Sequence, residues 1–172
     1  MNLYSYHNKP EELHNYFEAG EKIPDVFWDK FSKHPEKLKE KEHLIAKNPQ
    51  YAWKYANQIL KGAFPEGEEA IGTNAQYSIE YAELLEDRFA KGEDTIAKSA
   101  EHSYYYAAII GASFPEGEGA IAKDALYSYL YARDVLRGRF REGEAIILNG
   151  SKYSYDYKNI LKANNIPHED LL

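Results

Sequence analysis

The sequence predicts an all-α protein, an α-solenoid of about 25-residue helix–turn–short-helix repeats. Three observations carry that prediction. One phrase recurs four times at near-constant spacing. A tyrosine returns in every unit with apolar partners at helical spacing, and residue types suited to a helix N-cap stand at the same place in each unit.

The phrase reads FPEGEEAI at residues 64–71, FAKGEDTI at 89–96, FPEGEGAI at 114–121 and FREGEAII at 140–147. Its phenylalanines stand 25, 25 and 26 residues apart. A unit of that length cannot bury its own apolar stripe, so stacked neighbours must supply the core. The elements divide into three stretches. Residues 1–44 read as an N-terminal helical cap with a degenerate repeat, 45–163 as the repeat array and 164–172 as a C-terminal tail.

In the cap, residues 1–20 fit no column of the repeat. Pro24 to Lys33 is predicted helical, with Phe27 and Phe31 on one face. Leu38, Glu40, Glu42 and Ile45 take the Phe, Glu, Glu and Ile columns of an early copy.

In the array, Asn48, Asn74, Ser99, Asp124 and Gly150 follow an isoleucine by three residues. Their types suit an N-cap, where a side-chain oxygen accepts from the first free N–H groups. The predicted long helix then carries Tyr51, Tyr77, His102, Tyr127 and Tyr153 in one column. Four residues on stand Tyr55, Tyr81, Tyr106, Tyr131 and Tyr157, and four further Ile59, Leu85, Ile110, Val135 and Leu161. That spacing makes one stripe on one helix face.

Beside it run small residues: Ala52, Ser78, Ser103, Ser128 and Ser154, then Ala56, Ala82, Ala107 and Ala132. They predict close approach of neighbouring helices. Gly62, Gly111 and Gly138 stand where the long helix should end, as glycines past a helix C-terminus do. The Phe–Glu–Gly–Glu phrase reads as a turn into a short helix of about two turns, with Pro65 and Pro115 in its first turn. The pattern stops at Asn164, Asn165 and Pro167.

The chain has 172 residues, 44% of them hydrophobic and 16 of them tyrosine, enough apolar area for a core. It has no cysteine, which removes disulfides, thiolate zinc sites and thiol catalysis. Met1 to Asn8 shows no basic start and no apolar run, and no stretch approaches a membrane span, so a protein of a reducing cytoplasm is expected. The net charge of −7 falls mostly after residue 48 and disfavours nucleic acid, whose phosphates need cationic partners.

The unit FPEGEGAIAKDALYSYLYARDVLRGRF, from Phe114 to Phe140, resembles the Tyr/Ala-rich short helical repeats of bacteriophages and large DNA viruses. The resemblance covers about residues 45–163 and is strongest at Ala120–Phe140. It implies a viral origin, hence a host-cell cytoplasm, and an α-helical repeat, but no activity. His102 for Tyr, Gly150 at the cap and Lys158 for Ala depart from the pattern.

Candidate chemistry is sparse. The six histidines lack metal-ligand spacing, and no phosphate loop, nucleophile elbow or dinucleotide fingerprint occurs. No catalytic residue, metal site or cofactor is therefore expected. The arginines at 133, 137, 139 and 141 sit among Asp134, Glu142 and Glu144, as a solvated salt-bridge face would. A tyrosine ladder can stack nucleic-acid bases, but packing accounts for the two repeating columns.

A third aromatic set, Trp53, Tyr104, Tyr129 and Tyr155, lies off the stripe and is the expected exposed surface for a partner. Glu66, Glu68, Glu116, Glu118, Glu142 and Glu144 would line one edge, where their charge also suits a helix N-terminus. The expected function is a non-enzymatic viral interaction protein that binds a host or viral protein along its repeats, as a counter-defence inhibitor. The alternative is a small-ligand binder that sequesters a nucleotide-like molecule, with His102 and Tyr106 in its pocket. A homodimer through the C-terminal repeat end is a further expectation, because Tyr153, Tyr155 and Tyr157 have only a short tail after them.

Overall fold

A computed structural model describes residues 28, 29 and 32–171. The expected cap helix over residues 24–33, with Phe27 and Phe31, lies largely outside the described residues, as do residues 1–20. The regular elements among the described residues are all helical, with no strand among them. The chain divides into two compact units between Ile71 and Gly72.

The first unit contains α1 (Pro35–Lys39), α2 (Glu42–Ile45), α3 (Pro49–Lys54), a π-helical turn (Tyr55–Leu60), a 3₁₀ turn (Pro65–Gly67) and most of α4 (Glu68–Gly72). Its core is Trp28, Leu38, Ile45, Tyr51, Tyr55, Phe64 and Ile71, all at most 3% exposed. The Trp28 ring stacks on Tyr51 and its Nε1 donates to Gln58.

The second unit holds the long helices α5 (Ala75–Leu85), α7 (Ala100–Ile110) and α9 (Ala125–Leu130), the last running into a π-helix (Tyr131–Leu136). Between them come the short helices α6 (Ala90–Ile96), α8 (Pro115–Ile121) and α10 (Arg141–Leu148). α11 (Ser154–Ala163) and a 3₁₀ turn (Glu169–Leu171) end the chain. Within this unit each long helix packs on the short helix that follows it, and α5, α7 and α9 pack in chain order.

The N-caps form as the residue types require. Asn74 Oδ1 accepts from Tyr77 N, Ser99 Oγ from His102 N, and Asn48 and Asp124 each accept from two amides. The fifth unit is a correction. Gly150 has no side-chain oxygen and sits at φ +72°, so α11 starts only at Ser154, and Ser151 Oγ accepts from Tyr153 N instead.

The helix C-termini are a second correction. Of the three glycines expected past the long helices, only Gly111 is left-handed, at φ +65°. Lys61, Glu86 and Arg137 take that conformation elsewhere, with φ of 52°, 53° and 48°. Gly62 and Gly138 follow one residue late. Left-handed backbone costs a residue with a Cβ about 1–2 kcal/mol. Glu86→Gly is therefore expected to raise stability by about 1 kcal/mol, read as a higher urea midpoint at unchanged slope; an unmoved midpoint would count against strain at this turn.

The π-helices explain an irregular spacing. From the buried tyrosine to the next phenylalanine there are eight residues in two units (Tyr81–Phe89, Tyr106–Phe114) and nine in two others (Tyr55–Phe64, Tyr131–Phe140). The two units with nine are the ones that turn π-helical at that tyrosine. A single inserted residue is absorbed as a wider turn, so the phenylalanine reaches the same place. Tyr–Phe ring centroids are accordingly 4.8–5.1 Å apart in all four units, edge to face.

Candidate functional site

The buried tyrosine column joins one repeat to the previous one. Tyr106 OH donates to Glu93 Oε1 at 2.7 Å and accepts from Phe89 N at 2.8 Å. Tyr131 repeats this with Glu118 at 2.8 Å and Phe114 N at 2.9 Å, and Tyr157 with Glu144 at 2.9 Å and Phe140 N at 3.1 Å. In the first unit Tyr55 OH donates to Glu42 at 2.7 Å. The phenylalanine is the residue before each short helix, so the hydroxyl satisfies an otherwise orphaned N–H. The serines do the same for carbonyls at the other end. Ser103 Oγ donates to Ile96 O and Ser128 Oγ to Ile121 O.

Arginines reinforce two of these joints. Arg88 Nε meets Glu93 Oε1 at 2.8 Å, and Arg139 Nε and Nη2 fork onto both oxygens of Glu144 at 2.7 Å. Arg139 also reaches Asp170 Oδ2 at 2.9 Å and the Pro167 carbonyl, strapping the tail onto α10. Of the arginine cluster, Arg133, Arg137 and Arg141 are exposed and Arg133 pairs with Asp134, as a salt-bridge face would, whereas Arg139 is only 13% exposed and organises the C-terminal end.

The electrostatics follow. Burial alone raises the Glu93 carboxyl, but hydrogen bonds from Arg88 and Tyr106 outweigh it and hold Glu93 below its ordinary 4.5. Glu144 is held low in the same way by Arg139 and Tyr157. Burial first, and the hydrogen-bonded carboxylate next, push Tyr55 well above its ordinary 10. Tyr106, Tyr131 and Tyr157 rise for the same two reasons, against an opposing pull from the phenylalanine N–H.

The two titrations act at opposite ends of the pH scale. The depressed carboxylates contribute stability that is present above pH 4.5 and lost as pH falls through their folded values. The raised phenols contribute stability that is complete below pH 10 and lost as pH rises through theirs. The expected stability profile is thus level between about 5 and 10, with loss on both sides. A spectrophotometric tyrosine titration should show a group of phenols that ionise only as helical circular dichroism is lost. Ionisation of every tyrosine with the helix intact would contradict it.

The partner-facing residues expected from sequence separate into different environments. Glu66, Glu116 and Glu142 are exposed, whereas Glu68, Glu118 and Glu144 are half-buried, and Glu118 and Glu144 are engaged by the tyrosines. Of the third aromatic set, only Tyr155 is truly exposed, at 75%. Trp53, Tyr104 and Tyr129 are half-buried.

Tyr104 and Tyr129 form a seam between successive long helices. The Tyr129 ring stacks on Tyr153 at 5.3 Å and 11°, and Tyr104 lies 6.0 Å from Tyr127. Tyr104 OH donates to Asp134 at 2.8 Å, and burial with that carboxylate raises its pKa to about 12. The first tyrosine column is therefore half-buried seam after Tyr51, not core. Tyr105, which the sequence reading passed over, is 49% exposed beside it.

Within the second unit the seam is interrupted. Between α5 and α7 the equivalent positions hold Ile79 and His102, and there a groove of about 390 Å³ opens. It is lined by His102, Tyr105, Glu80, Glu83 and Glu101 among others. Of the alternative ligand pair, only His102 lines the groove; Tyr106 is fully buried with its hydroxyl in the joint with Glu93. The departures from the aromatic columns at 79 and 102 were the available signal.

No grouping of His, Asp or Glu able to hold a metal occurs among the described residues, and no helix among them is long and apolar enough to cross a membrane. Comparison with family models, curated proteins and solved structures gives no match to this chain.

Proposed function

We propose that the chain works as a non-catalytic α-solenoid that holds a protein partner along its repeat surface. The observation that carries this reading is the division of labour among repeated side chains. One tyrosine column is consumed in joining repeats, while Tyr105, Tyr155, Glu116 and Glu142 remain at the surface of the second unit. Exposed tyrosines beside carboxylates suit a protein interface, where rigid aromatics contribute contact area at low entropic cost. The resemblance of the repeat to those of bacteriophages and large DNA viruses extends this proposal to a viral protein that engages a host or viral protein in the host cytoplasm and inhibits a defence.

The nucleotide-sequestering alternative has less support. It would set phosphates against Glu80, Glu83 and Glu101, and it cannot use Tyr106.

The test is affinity capture from infected and uninfected host lysates with the wild type and with Tyr105→Ser/Tyr155→Ser. The expected result is a stoichiometric protein that the wild type retains and the double variant loses. Retention of a nucleotide without any protein would overturn the reading.

A further inference from the structure

The groove between α5 and α7 exists because two aromatic positions of the seam are not aromatic. Elsewhere in the second unit a tyrosine of one long helix meets a tyrosine of the next, as Tyr129 meets Tyr153. Here Ile79 and His102 leave a concave space with Ile79 and Ile109 as apolar lining and the half-exposed Tyr105 ring at its side. Three carboxylates, of Glu80, Glu83 and Glu101, border it. One of them is incompletely satisfied. Glu80 Oε1 accepts from Gln76 Nε2 at 2.7 Å, whereas Oε2 is shielded from solvent and receives no hydrogen bond from any described residue. A buried carboxylate oxygen in that condition calls for a donor.

We propose that this groove seats an arginine side chain presented by the partner protein, an assignment that rests on the surface-binding reading above. The shape and charge favour that occupant over other cations. A guanidinium is planar, so it stacks on a tyrosine face while its stem covers isoleucine. Its fork of five donors can reach more than one of the bordering carboxylates at once. Its weak hydration lowers the cost of entering a half-apolar site, which an ammonium pays in full. The chain's net charge of −7 favours approach of such a segment.

The probe is a blocked Gly-Arg-Gly peptide, titrated against the full chain at low salt by amide NMR. Identical peptides carrying lysine or citrulline are the comparisons. The expected result is saturable shifts confined to α5 and α7, about tenfold weaker binding with lysine and none with citrulline. Ile79→Tyr/His102→Tyr rebuilds the aromatic pair and should abolish the shifts. Glu83→Gln alters one exposed side chain only and should weaken binding several-fold.

An equal response to lysine or citrulline, or binding that survives the filled groove, overturns the proposal. A captured partner that is retained by the filled-groove variant overturns it too, and leaves the surface reading standing. Failure to capture any protein overturns the surface reading, and with it the assignment of the arginine to a partner.

Discussion

Replacing Gly117 with alanine is expected to lower the unfolding free energy by about 2–3 kcal/mol, the upper range for overpacking a filled core. A Cβ at this position would lie 2.5 Å from Ser103 Cβ, Ser103 Oγ and the Phe114 ring. None of those atoms has room to retreat. Phe114 is fully buried against Tyr106, and Ser103 is fully buried with its hydroxyl on Ile96 O. Gly67, Gly92 and Gly143 meet the equivalent phenylalanine and small residue in their own repeats.

Gly119, two residues on, is the control. Nothing lies within 4 Å of its would-be Cβ, and it is helical, so Gly119→Ala should stabilise by about 0.5–1 kcal/mol. Urea denaturation of the two variants measures both. Equal midpoints would show that the short helix can shift off α7, and that the close approach is not required. Adding Ser103→Gly to Gly117→Ala should recover part of the loss, because two of the three crowded atoms go with it.

Removing the Tyr131 hydroxyl is the second large effect. Tyr131→Phe keeps the ring against Phe140 but strands two groups: the Phe114 N–H and one oxygen of Glu118. The buried Phe114 N–H carries the full penalty of about 1–3 kcal/mol and the half-buried Glu118 oxygen less, so a loss of about 2–3 kcal/mol is expected. Because the stranded groups belong to α8 and the mutated residue to the next repeat, the loss should loosen their joint. Hydrogen exchange should quicken at Phe114 before it quickens at the start of α5. Uniform acceleration across the second unit would instead mean that its repeats open as one cooperative body.

How much of this was legible in advance differs from residue to residue. The N-caps at Asn48, Asn74, Ser99 and Asp124 were readable because a cap is decided by a side chain and an amide two or three residues away. The cap at Gly150 failed because the position matched and the chemistry did not. The repeated glycine at 67, 92, 117 and 143 was readable as a recurrence, but it looked like part of a turn; its close approach to the preceding long helix appears only when the two helices are side by side. The aromatic columns were legible as columns, yet the half-buried state of Tyr77, Tyr127 and Tyr153 was not: they stand four residues before the buried column, about 40° round the same helix face, so periodicity does not separate the two and the packing of neighbouring helices does.

The sequence by itself determined the helical character, the repeat period and four of the helix starts, all of which rest on interactions spanning a few residues. Only the tertiary structure decided that the unbroken tyrosine column is a hydrogen-bonded joint, with partners 13 and 17 residues away. It also decided that Arg139 straps a tail 31 residues distant, and that Ile79 and His102 together open a groove. The physical reason is common to all three. Composition and periodicity say which side chains must leave water, but which polar atom each one finds there depends on how the helices are offset when they pack.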